Sequence, residues 1–169
     1  MRGVNYRLKM TRYERIFGAG PRGILITIGL FGVAWGFKEE VALPAITENT
    51  SLRWSVFVLS VIGAMGLAFW SAKSLPPKER GQKLATLGAY RYFRHPIYAT
   101  FVSGFDFGLA MLLNNWIYLL WAILVHCYWH ANVVSEERLM RDAFADEYDA
   151  YCSVTGRFFP RISSFKRRE

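Results

Sequence analysis

Four apolar runs divide this sequence, at about 21–37, 53–72, 96–113 and 116–134. They constrain the chain more than any motif does, because each comes near the ~20 residues a helix needs to cross ~30 Å of hydrocarbon. With 53% hydrophobic and 17% aromatic residues in 169, a water-soluble reading fails, since a small domain lacks the interior to bury so much apolar surface. The expected fold is all-α: a polytopic membrane protein of about four transmembrane helices plus a cytoplasmic C-terminal amphipathic helix, in a single domain spanning 1–169.

The charges fall between and outside these runs. Residues 1–20 form a basic arm, with Arg2, Arg7, Lys9, Arg12 and Arg15 against Glu14 alone. The loop 73–95 carries Lys73, Lys78, Arg80, Lys83, Arg91 and Arg94 against Glu79, while 38–52 holds more acid than base. By the positive-inside rule, both termini and the 73–95 loop face the cytoplasm. A signal peptide is the rival reading of the start, but no small-residue cleavage site follows, and Lys38-Glu39-Glu40 closes the first run like a membrane boundary. The net charge of +8 comes with no nucleic-acid motif, so no nucleic-acid partner is expected. Cys127 and Cys152 lie in unlike settings and read as free thiols.

Finer features set expectations for packing. Asn114-Asn115 should form a tight hairpin between the last two spans. Gly29, Gly32, Gly36, Gly63, Gly66, Gly104 and Gly108 line three of the spans, and 32/36 and 104/108 have GxxxG spacing. Packing within the bundle is the expected use, with a homo-oligomer as the alternative. In the cytoplasmic region 135–169, residues 135–151 read as a helix with Met140, Phe144, Tyr148 and Tyr151 on one face. That face should dock on the bundle or the headgroups, and Lys166–Arg168 suits anionic membrane lipids.

The polar centre of the chain is the stretch 88–98, GAYRYFRHPIY, together with Glu136-Glu137. Gly88 permits a turn, and Pro96 opens a helix where its missing N–H costs nothing. The free amides and dipole of that helix end favour an anion. Arg94 and His95 flank the same place, and Tyr90 and Tyr98 offer flat faces for an adenine or a sulfonium. An aromatic-basic interfacial belt fits these residues equally well. The two acids leave span four about 100° apart on a helix, so one of them is expected to face a pocket. His95 and Glu136 should close on one nucleoside-sized hollow where bilayer gives way to cytosol.

The pattern G-x-Y-x-x-x-R-H-P-x-Y, then two spans, then E-E, resembles the isoprenylcysteine carboxyl methyltransferases and their phospholipid methyltransferase relatives. The tail, Phe144–Tyr151 followed by Arg157-Phe158-Phe159-Pro160, looks like theirs too, so the likeness covers about 82–161. It implies an integral membrane methyltransferase using S-adenosyl-L-methionine, held under the C-terminal helix. Carried over residue by residue, it assigns the cofactor to Gln82, Lys83, Leu84, Ala85, Tyr90, His95, Pro96, Ile97, Tyr98 and Glu136. It leaves Glu136, Glu137 and Arg94 as candidates for the chemistry. Two positions depart from the family's pattern. Asn132 stands where isoprenylcysteine enzymes carry an arginine, which weakens carboxyl methylation specifically, and Ala145 replaces the usual glycine.

The expected reaction is direct methyl transfer to a lipophilic acceptor entering from the bilayer, resting on positioning and exclusion of water and needing no metal. An amine or thiol acceptor would need a base, for which Glu137 and His130 are weak candidates. His126 and His130 have the spacing of a metal half-site but lack a third ligand. Asp106 and His126 are expected to pair inside the membrane, fixing register or handling substrate. Phospholipid or small-molecule N- or S-methylation fits the same cofactor site, and a sterol-type reductase or a non-enzymatic adaptor are the remaining alternatives.

Overall fold

The computed structural model describes residues 18–76 and 83–162. The basic arm before residue 18, Gln82 and Lys166–Arg168 lie outside the described residues. Five helices make up the described fold: α1 (Gly20–Val41), α2 (Thr50–Ser74), α3 (Pro96–Leu113), α4 (Trp116–Asn132) and α5 (Val134–Val154). The middle of α3, Thr100–Phe105, is wound as a π-helix.

Among the described residues, three helices are long and apolar enough to cross a membrane: α2, α3 and the 39-residue stretch Trp116–Val154 in which α4 runs on into α5. α1, where a fourth span is expected, is not among them. It is nonetheless docked along α4. Phe31 meets the ring of Trp121 edge-on at 5.1 Å and stacks on Tyr118 at 5.8 Å. Thr27 receives two of the three indoles of α4, Trp129 on its hydroxyl at 3.0 Å and Trp121 on its carbonyl at 3.2 Å. These bonds satisfy the polar edges of two buried tryptophans.

Leu113 ends α3 because Asn114 turns left-handed, with φ 56°. The Asn114 side chain then accepts from the amides of Ile46 and Thr47 at 3.1 and 3.0 Å. Asn115 caps α4 through the amide of Ile117 and donates to the Leu43 carbonyl. The hairpin thereby also ties down the α1–α2 connection, satisfying backbone groups that a bare loop would leave unpaired.

The glycines do not behave as expected. A methyl group added at Gly29, Gly32, Gly36, Gly63, Gly66 or Gly104 would meet nothing within 4 Å. Close approach inside the bundle is made instead at Gly108, against Ser60, and at Gly23, where an added Cβ would lie 2.4 Å from the Trp129 ring. The α1 GxxxG pair thus serves no contact within the described chain.

α5 extends the expected helix at both ends and bends at Ala145, whose φ of 43° and ψ of −121° are not helical. Its apolar face docks as an inner cluster: Phe144, Tyr148 and Tyr151 are buried, with Leu84 and Met140 packed on them. The 83–85 segment is thus held against α5.

Candidate active site

The site lies where α3 begins, α4 hands over to α5, and the chain returns after α5. The return is stitched to the 88–95 segment by backbone bonds. Arg94 donates to the Gly156 carbonyl at 2.7 Å, His95 to that of Arg157 at 3.2 Å, and Gly156 to that of Tyr92 at 3.3 Å. Tyr151 adds a hydroxyl bond to the Tyr90 carbonyl at 2.6 Å. His95 precedes α3 as its N-cap residue, with Pro96 in the first turn. Arg94 and His95 are therefore held by backbone on both sides.

Both acids turn toward His95. Glu137 Oε1 lies 3.3 Å from His95 Nε2, and Glu136 Oε2 lies 3.5 Å from His95 Nδ1. The imidazole bridges the pair. His95 and Glu136 therefore meet directly, with no nucleoside-sized gap between the two side chains.

The two carboxylates have different surroundings. Glu137 is buried and takes three cationic or polar partners. Arg157 grips it by both oxygens, at 2.9 and 2.5 Å, and Arg94 Nε reaches Oε1 at 3.0 Å. Burial raises the Glu137 carboxyl, but hydrogen bonds from His95 and Arg157, with the Arg94 charge, outweigh it and hold Glu137 well below the usual carboxylate range. The same pair holds Arg157 more firmly protonated than usual. Arg94 also donates to the Cys152 and Thr155 carbonyls at 3.2 and 2.7 Å. This cluster fastens three chain segments together.

Glu136 is more open, its side chain 19% exposed. Its Oε1 accepts from the Tyr98 hydroxyl at 2.9 Å and from the Ala19 amide. Tyr98 lies nearly parallel to His95, ring centres 5.7 Å apart, and against Trp129 at 4.7 Å. The Gly18-Ala19 turn sits so close that a Cβ on Gly18 would collide with Glu136. Asn132, fully buried, positions that turn by donating to the Ala19 carbonyl at 3.1 Å while accepting from Arg22 Nε at 3.2 Å.

His130 and His126 extend the network into the bundle. Arg157 Nη1 lies 3.2 Å from His130 Nδ1, and His130 Nε2 lies 3.2 Å from His126 Nε2. A guanidinium only donates, so His130 carries its proton on Nε2 and passes it toward His126, whose Nδ1–H then faces the Val102 carbonyl at 3.4 Å. The ring nitrogens of both are engaged. The expected pairing of His126 with Asp106 does not form: Asp106 is buried with Oδ2 unpartnered.

Of the residues singled out from sequence, the structure gathers Arg94, His95, Tyr98, Glu136 and Glu137 into one cluster. Pro96 and Ile97 follow in the first turn of α3. Tyr90 joins through its carbonyl, and Leu84 through the α5 face, beside Lys83 and Ala85. Arg157, Ala19 and Asn132 were not foreseen as parts of the site. A buried carboxylate demands a cationic partner, and that demand is the signal that could have pointed to Arg157.

The polar cluster stands at one end of a bundle of helices long and apolar enough to cross a membrane. A model of the phospholipid methyltransferase family matches residues 50–147, more than half of the 169 residues. The chain belongs to the phospholipid methyltransferase family and is an integral membrane methyltransferase. The match takes in α2, for which sequence reading found generic hydropathy alone, and stops short of Arg157. The chain is also similar to the nickel-cobalt-cadmium resistance protein NccN of Alcaligenes xylosoxydans xylosoxydans, at 29% identity over 161 residues, covering 89% of this chain and 74% of that protein.

Proposed function

We propose that this protein transfers a methyl group from S-adenosyl-L-methionine to a lipophilic acceptor drawn from the bilayer. The observation that carries the reading is the convergence of Glu136, His95 and Tyr98 at the end of the bundle where α5 leaves it. The residues fit such a cofactor in kind. An accessible carboxylate already receiving hydroxyl and amide donors can take a ligand's hydroxyl or ammonium in place of the Ala19 amide. The 5.7 Å separation of the His95 and Tyr98 rings leaves no slot between them.

S-Adenosyl-L-methionine supplies a methyl group already activated on a sulfonium, so the chain need only bind, orient and exclude water. Glu136 serves as the binding carboxylate. Glu137, Arg94 and Arg157 act as positioning residues, locking His95 and the tail against α5. Glu137 and His130 are both occupied as proton acceptors, which leaves Glu136 as the carboxylate nearest to any acceptor that must lose a proton. We assign the site, both termini and the 73–95 loop to the cytoplasmic face on the charge distribution, with α1 as a fourth span beside α4. The open α1 glycines leave a face on which a second copy could pack.

The reading is tested by supplying methyl-labelled S-adenosyl-L-methionine to the reconstituted protein with extracted membrane lipids and peptides. Label moving into a lipid-soluble product supports it. Label that stays wholly in the cofactor, with the protein intact and inserted, overturns it.

A further inference from the structure

An open groove of about 260 Å³ lies between α2 and the π-wound part of α3, with Phe158, Phe159 and Pro160 also in its lining. We propose that it seats one hydrocarbon chain of the acceptor lipid, an inference that rests on the methyltransferase reading and locates where the acceptor binds. The lining carries no charged side chain. Two of its three hydroxyls are spent on backbone: Thr100 donates to the Ile97 carbonyl at 2.6 Å and Ser103 to that of Phe158 at 3.4 Å, beside Ser60 as the third. A nucleoside or headgroup would find few partners there, while an alkyl chain needs none.

The shape comes from Gly63 on α2 and Gly104 on α3, which leave open space where side chains would stand. The π-helix contributes too, since its wider turn opens the helix locally, as π-segments do at functional sites. Phe158 in that lining is buried, with its ring 6.0 Å from His95 and 4.8 Å from His130. One aromatic ring therefore divides the apolar groove from the polar cluster. A lipid whose chain fills the groove brings its headgroup to the side where Glu136 and His95 stand. Phe159, 55% exposed, also lines the groove, with its ring 5.4 Å from His126.

The test uses the full-length protein in phosphatidylethanolamine vesicles containing a phosphatidylethanolamine with a diazirine at the middle of one acyl chain. After irradiation, adducts are mapped by mass spectrometry. They are expected to concentrate on the peptides bearing Gly63 to Leu67 and Phe158 to Phe159, and to fall about fivefold in Gly63→Trp, which fills the preformed groove. Labelling of the outward residues Leu25 and Ile28 of α1 should not change. Gly104→Trp fills the same space from α3 and serves if the first variant does not fold. Equal labelling of groove and outward faces, or labelling indifferent to both substitutions, overturns the seat. Calorimetry with S-adenosylhomocysteine on the same samples separates the two levels. Wild-type protein that binds it without groove labelling overturns the seat alone. Groove labelling without such binding overturns the acceptor role together with the methyltransferase reading.

Discussion

Arg157, from the stretch that follows α5, holds both carboxylate oxygens of Glu137, at 2.9 and 2.5 Å. Neither residue is free to do chemistry, yet the contact decides where His95 stands. Through it, the tail, the start of α5 and the loop before α3 become one body around a bridging imidazole.

Breaking this contact should therefore cost stability first. Removing one partner of a buried ion pair typically costs about 3–5 kcal/mol, because the other charge is left unpaired. Arg157 is part exposed, and Arg94 and His95 still face Glu137 in its absence, so the lower end is a ceiling: Arg157→Ala should lose at most about 3 kcal/mol. Thermal unfolding in detergent measures this, and Arg157→Lys should recover only part of the loss, since an ammonium cannot match the two-point grip. A loss no larger than that of an average surface substitution would show that the tail is held by its backbone bonds alone.

The same cluster predicts an acid sensitivity. Glu137 is held below its unfolded value, near ~4.3 for a glutamate, so its stabilisation is complete above that pH and lost as pH falls through the carboxylate range. The slope is at most about 1.4 kcal/mol per pH unit. The stability gap between wild type and Glu137→Gln should be full at pH 7 and narrow as pH drops below ~4.3. A gap that is constant down to strong acid would contradict the assigned ionisation.

Ala145 sits at φ 43° and ψ −121°, a conformation that a Cβ resists and glycine adopts freely. Ala145→Gly should stabilise the protein by about 1 kcal/mol, and Ala145→Val should destabilise it by more than that. Paired melting curves decide the sign. Destabilisation by glycine would mean that the bend is not strained.

Gly23 tests the docking of α1. A Cβ there falls 2.4 Å from the Trp129 ring, so Gly23→Ala should cost about 1–3 kcal/mol by overpacking. Gly32→Ala, facing open space, should be neutral or slightly stabilising in a monomer. Comparable losses at both positions would show that the α1 stripe has a partner in the membrane.

Much of this architecture was legible in the sequence. Pro96 and Asn114 mark the ends of α3 because one cannot sit deep in a helix and the other readily turns left-handed. The 88–98 stretch and the acid pair were expected to meet, and they do. Other features required coordinates. Hydropathy says that a glycine is in a span but not which side it faces, so the α1 GxxxG pair misled, while Gly108 of the α3 pair does pack, against Ser60. Two adjacent acids on a helix diverge by about 100°, yet a histidine with a nitrogen on each side reaches both. The departure at Asn132 looked like a lost function. It is a buried amide that seats Ala19 and Arg22, and no local pattern encodes a contact with residues so distant in sequence.

The most direct test is calorimetric titration of the purified protein with S-adenosylhomocysteine. Saturable binding is predicted for wild type, with Glu136→Ala losing a charge-assisted hydrogen bond of about 1.5–3 kcal/mol, roughly 10- to 100-fold in Kd. His95→Ala should weaken binding in the same direction. No heat of binding to folded wild-type protein, or equal affinity in both variants, would contradict the placement of the cofactor at this cluster.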